Sequence, residues 1–126
     1  MINLVSFGLA KLLKEKGYDK PVNNYTSERD GDYFSNEKQT ISYKNYNEIR
    51  NVYSIPTIAE VVMWLYEKYG IWIECLHRGD MGDFTFKISK LKKGWRTEPH
   101  YIHESGYNSP TEAIEAAIEY VLKNLI

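Results

Sequence analysis

Apolar residues recur along this chain at two spacings, and the switches between them mark out the elements. From Leu4 to Lys16 the spacing is helical. At 100° per residue Val5, Leu9, Leu12 and Leu13 share one side, with Lys11, Lys14 and Glu15 largely opposite. Gly17 stands where a left-handed cap belongs, and Pro21 follows. A helix of about three turns is too short to persist alone, so it must dock. Helical spacing returns after Pro56, where Thr57-Ile58-Ala59-Glu60 has the form of a capping box. This predicts a second helix to Tyr69, stopped by Gly70, with Ile58, Val62, Leu65 and Tyr69 as its core stripe. Glu60, Glu67 and Lys68 mark its wet face, which places Trp64 among charges and Met63 at that face's edge.

The period then drops to two. Ile71, Ile73 and Cys75 alternate with Trp72, Glu74 and Leu76, and Phe84, Phe86 and Ile88 alternate with polar residues. His77 to Asp83, with two glycines, reads as the turn between two strands, and Lys92-Lys93-Gly94 as the next turn. A third strand is expected within Trp95 to Glu104, interrupted by Pro99. The chain ends on a third helical pattern opened by Ser109-Pro110-Thr111-Glu112: N-cap serine, proline at the first helical position, glutamate three residues after the cap. Ala113, Ile114, Ala117, Ile118, Val121, Leu122 and Leu125 form its apolar face, while Glu112, Glu115 and Glu119 lie opposite.

Residues 18–53 show no sustained period. Arg29-Asp30-Gly31-Asp32 is a turn signal between Asn24-Tyr25-Thr26 and Asp32-Tyr33-Phe34-Ser35, which predicts a small hairpin. Ile41 to Tyr53 reads as extended chain or loop. Tyr18, Tyr25, Tyr33, Tyr43, Tyr46 and Tyr53 all fall in this segment, more aromatics than disordered chains carry, so an ordered flap is expected. The fold class is therefore α+β: a three-stranded antiparallel sheet with two helices packed on one face, plus an N-terminal helix and an irregular Tyr-rich hairpin or flap. One domain over 1–126 is expected, made of the N-terminal helix (1–17), the Tyr-rich segment (18–56) and a helix-strand-strand-strand-helix unit (57–126).

Composition narrows the function classes. The chain has 126 residues, enough for a core without disulfides or metal. Its 16 basic and 17 acidic residues nearly cancel, so no global charge draws it to nucleic acid or membrane. With one cysteine there is no internal disulfide and no multi-cysteine metal site. A lone cysteine, no apolar run of membrane-spanning length and no export signal lead to a cytoplasmic expectation. No Gly-rich phosphate loop, G-x-S-x-G elbow or H-E-x-x-H helix is found, so neither an enzyme nor a cofactor is expected.

Three stretches in order carry a resemblance: Phe7 to Tyr18, Tyr53 to Leu65 running into Gly70-Ile71, and Tyr107 to Ile118. Together they resemble small uncharacterised proteins of phages, prophages and mobile elements of Bacteroides-type bacteria. The shared positions are helix caps and core residues, so the resemblance implies a setting and a whole-chain domain, and transfers no catalytic residue.

Several constellations touch on chemistry. His100 and His103 form an H-x-x-H pattern that binds metal when helical, with Glu98, Glu104 and His77 as further donors. Pro99 and Gly106 argue for strand or loop there, where i and i+3 point apart, so no metal site is expected. Cys75 shares the phase of Ile71 and Ile73 and is read as core rather than nucleophile. Asp80 and Asp83 suit a turn as well as a carboxylate pair. Lys87, Lys90, Lys92, Lys93 and Arg96 gather five cations around Trp95, whereas residues 97–126 hold five glutamates and one lysine. Cations interleaved with an aromatic suit a nucleic-acid backbone, and the helix–three strands–helix order is also that of double-stranded RNA-binding domains. Glu112 and Glu115 stand at the start of the last helix, where those domains carry phosphate-gripping lysines. Trp64 and Trp72, with Met63, are the candidate anchors for a protein partner or a second copy, provided the indoles are exposed. The leading expectation is a non-enzymatic module that binds a protein or self-associates. The alternative is a nucleic-acid-binding accessory protein using 87–96, and an enzyme or metal protein ranks third.

Overall fold

A computed structural model of the chain describes residues 4–27, 33–35, 44–91, 97–98 and 104–126. It is an α+β protein with three α-helices and two antiparallel sheets, divided into two compact units at Thr57/Ile58.

The first unit opens with helix α1 (Phe7–Glu15). It starts later than the apolar periodicity suggests, because Leu4 bridges to Thr57 and the Val5 N–H donates to the Pro56 carbonyl, which holds both residues extended. Ser6 then caps the helix, its Oγ accepting from the Leu9 N–H at 3.3 Å. The far end closes as a Schellman motif: Tyr18 N–H donates to the Leu13 carbonyl and Gly17 N–H to the Lys14 carbonyl. Gly17 takes φ +84°, and buried Tyr18 and Leu13 provide the apolar contact that accompanies such a cap.

The Tyr-rich segment is a sheet ordered β2-β1-β3, from β1 (Asn24–Ser27), β2 (Tyr33–Ser35) and β3 (Val52–Ser54). The expected hairpin is present, with Asn24 opposite Ser35 and Thr26 opposite Tyr33. Its turn signal, residues 29–32, lies outside the described residues apart from the strands it joins. Ile41 to Tyr53, read as extended chain or loop, contains in its described part a 3₁₀ turn η1 (Tyr46–Glu48) and the start of strand β3. Both are too short to leave a periodic signal. The tyrosines do pack: Tyr18 and Tyr46 are buried, Tyr25 stacks on Tyr46 at 4.3 Å, and Tyr53 meets Phe7 edge-on at 5.4 Å. Tyr33's side chain and Tyr43 lie outside the described part.

Polar side chains fix this irregular layer. Asn47 uses both ends of its amide: Nδ2 donates to the Tyr18 carbonyl and Oδ1 accepts from the Ser54 N–H, each at 2.9 Å. Lys14, read as solvent-facing, reaches the loop and donates to the Ile49 and Val52 carbonyls at 2.9 and 2.8 Å. A long side chain lays its stem along the surface and carries its ammonium to loop carbonyls, that of Ile49 also accepting from the Val52 N–H.

The second unit runs α2 (Ile58–Tyr69), β4 (Ile71–Arg78), β5 (Asp83–Leu91), β6 (Thr97–Glu98), β7 (Glu104–Tyr107) and α3 (Pro110–Asn124). β5 is central, paired with β4 on one side and with β6 and β7 on the other. The third strand continues to Tyr107 rather than ending at Glu104, and the expected interruption at Pro99 lies outside the described residues. Gly106, at φ +100°, sits in the register shift between Phe84 and Thr85 and provides the conformation that a bulge requires. Ile71, Ile73, Phe86 and Ile88 face one side together and are buried, as are Ala113, Ala117, Ile118, Val121 and Leu122 of α3. Ser109 Oγ accepts from Glu112 N–H at 3.1 Å, and Glu112 Oε2 reaches past the cap to accept from Asn108 N–H at 2.9 Å.

The expected core stripe of α2 is corrected. Val61 and Trp64 join Ile58 and Leu65 inside, whereas Val62 and Tyr69 are half-buried. The buried face is rotated toward Trp64. Lys68 is exposed, as its charge suggests, yet its Nζ lies 5.3 Å from the Trp64 ring centre.

Candidate protein-binding surface

Among the residues singled out in the sequence, Trp64 moves furthest from expectation. Its indole is 2% exposed and meets Tyr69 edge-on at 5.5 Å, so it is a core residue and cannot anchor a partner. Trp72 is half-buried on the opposite sheet face from Ile71 and Ile73, as its phase requires. Its ring meets Tyr66 of α2 edge-on at 5.6 Å. Tyr66 is 42% exposed and Met63, one turn earlier on the same helix, 45%. Leu76, on the same strand face as Trp72, is 44% exposed. The structure therefore joins Met63, Tyr66 and Trp72 across a helix and an adjoining strand, with Leu76 further along the same face of β4, beyond Glu74. Sequence reading missed Tyr66 because it lay near the expected stripe of α2; the rotated stripe moves it into solvent.

The basic stretch does not assemble into a described surface. Lys92, Lys93, Trp95 and Arg96 lie outside the described residues. Lys87 stands opposite Glu74 and Lys90 opposite Ile71, so the two lysines project from opposite faces of β5. A cation row along one phosphate backbone needs them on the same face.

The other candidates sort into structural roles. His100 and His103 lie outside the described part, and no cluster of three or more metal-ligating side chains occurs among the described residues. His77 is exposed, its ring 4.9 Å from that of Phe84. Cys75 is half-buried opposite Phe86, and burial pushes its thiol pKa up, which favours the neutral thiol over the nucleophilic thiolate. Asp80 is exposed in the turn. Asp83 closes that turn instead of pairing with it: Arg78 Nε and Nη2 donate to Oδ1 and Oδ2, both at 2.5 Å. Inside the clamp, Met81 and Gly82 N–H groups donate to the Arg78 carbonyl, with Gly82 at φ +70°.

These bonds from Arg78, with its positive charge, hold the Asp83 carboxyl below the ordinary aspartate range, against an opposing push from desolvation. The folded pKa is the lower one, so the pair's contribution is complete above the unfolded value of about 4 and is lost as pH falls through the folded value. Carboxyl-carbon NMR is expected to show Asp83 titrating below the ordinary aspartate range in the native chain, and nearer to it in Arg78→Met. Identical Asp83 curves in the two proteins would exclude the clamp.

No helix among the described residues is long and apolar enough to cross a membrane. Comparison with family models, curated proteins and solved structures finds no match.

Proposed function

We propose that this chain is a non-enzymatic α+β module that recognises a protein surface, in the phage or mobile-element setting its resemblance implies and in the cytoplasm. The observation that carries this reading is the joined aromatic and aliphatic surface of Met63, Tyr66 and Trp72, continued by Leu76. Aromatic and methionine side chains are enriched where proteins meet, because they bury much area and lose little conformational freedom. Here one ring of the pair is held by the strand and the other by the helix, so the surface is ordered before a partner arrives. The exposed side chains belong to α2 and β4, both anchored through their opposite, buried faces, so changes on the surface leave the core intact.

The test compares proteins bound by the immobilised chain from bacterial lysate with those bound by Met63→Lys/Tyr66→Ser. A bound protein lost in the variant, and rebound by the purified wild-type chain, supports the reading. Equal binding by both forms overturns it. So does a chain that binds no protein but shifts RNA or DNA at about 50 mM salt, where phosphate-driven binding is strong. A Trp64→Ala comparison reports on folding instead, since that indole is interior.

A further inference from the structure

The two edges of the four-stranded sheet are built differently. On one side β7, of four residues, carries a bulge. Short and bulged edge strands resist pairing with other chains. On the other side β4 is eight residues long and in continuous register with β5 from Ile71 to Arg78. It contains no lysine and no proline, the residues that commonly block an edge. Among the described residues β4 pairs with no strand but β5.

The charges of β4 suit a copy of itself. Two copies of one strand meeting antiparallel about a two-fold axis must turn the same faces to the same side, so residues of like parity stand opposite one another. On the face of Trp72 and Leu76, β4 itself carries two charged residues, Glu74 and Arg78, which stand opposite Lys87 and Asp83 of β5. Pairing centred on Glu74 sets two carboxylates against each other. Pairing centred on Leu76 sets Leu76 against Leu76 and Glu74 against Arg78 on both sides of the axis. A guanidinium has five N–H donors, and the bonds to Asp83 use Nε and one of Nη2, so Arg78 retains donors for a second carboxylate.

We propose that the free edge of β4 pairs with β4 of a second copy of this chain, antiparallel and centred on Leu76, joining the two sheets into one. This rests on the protein-binding reading above and names its partner. Light scattering on the intact chain is expected to give twice 14.8 kDa. Leu76→Lys, at an exposed position, is expected to weaken the dimer about tenfold or more while leaving circular dichroism unchanged, because it faces two ammonium groups across the axis. In a Cys75→Ser background, Leu76→Cys is expected to form a disulfide-linked dimer on mild oxidation, since opposed residues of an antiparallel pair lie about 4.5–5.5 Å apart. Met81→Cys in the same background, in the exposed turn, is expected to form no disulfide-linked dimer. A monomeric wild-type chain, or a dimer that survives Leu76→Lys and forms no Leu76→Cys disulfide, overturns this inference. If a monomeric chain still binds another protein through Met63 and Tyr66, the inference falls and the broader reading stands. If that binding is also missing, both fall.

Discussion

Trp64→Ala is expected to destabilise the protein by about 3–5 kcal/mol, the range for removing a large buried aromatic. The indole is 2% exposed, it meets Tyr69 edge-on, and Lys68 covers its remaining face, so truncation leaves a void and strips the ring from under an ammonium. Urea unfolding followed by circular dichroism measures the loss. Tyr66→Ala, two residues along the same helix, is the internal control. Tyr66 is exposed, and its loss forfeits chiefly the ring contact with Trp72, about 1 kcal/mol. The order of the two effects is what matters. An equal or smaller loss for Trp64→Ala would falsify the rotated core stripe of α2.

Asn47→Ala is expected to cost about 2–4 kcal/mol, because it removes partners from two backbone groups that have left water. The Ser54 N–H loses its acceptor and the Tyr18 carbonyl its donor, and both residues are buried. The amide orientation is dictated by these partners: the reverse would aim NH₂ at an N–H and oxygen at a carbonyl. Asn47→Asp is not expected to rescue the loss, since it keeps the acceptor for Ser54 but turns a carboxylate oxygen toward the Tyr18 carbonyl. Hydrogen exchange at the Ser54 amide gives the local readout. Its protection should fall in Asn47→Ala further than unfolding stability alone accounts for, and unchanged protection would show that the side chain does not hold β3 in place.

Both predictions turn on contacts that have no signature in the order of residues. Asn47 links Tyr18 and Ser54, separated from it by 29 and 7 positions, and its neighbours in sequence give no hint of either partner. Lys14 likewise reads as a solvated helix residue, yet its ammonium serves carbonyls of Ile49 and Val52 in a later loop. The same holds for the candidate surface. Met63 and Trp72 were legible as candidates from helical and strand phase. Tyr66 entered only when the phase of α2 was known, and Trp64 left for the same reason.

The sequence by itself determined where the regular elements stop and which strand face is apolar. Gly17 and Gly70 end their helices in the left-handed region, Ser109 caps a helix start, and alternation from Ile71 to Ile88 sets the side of the sheet that is buried. These are local properties: a backbone angle that only glycine takes easily, a hydroxyl within reach of a free N–H, a period of two. Only the tertiary structure decided which arc of α2 turns inward, how the Tyr-rich segment folds into η1 and β3, and that β4 is a long edge while β7 carries a bulge. A helix wheel sets Trp64 beside Glu60, Glu67 and Lys68 and so reads it as wet; Lys68 is indeed exposed, but its four-carbon stem brings its ammonium over an indole that the packed core has buried.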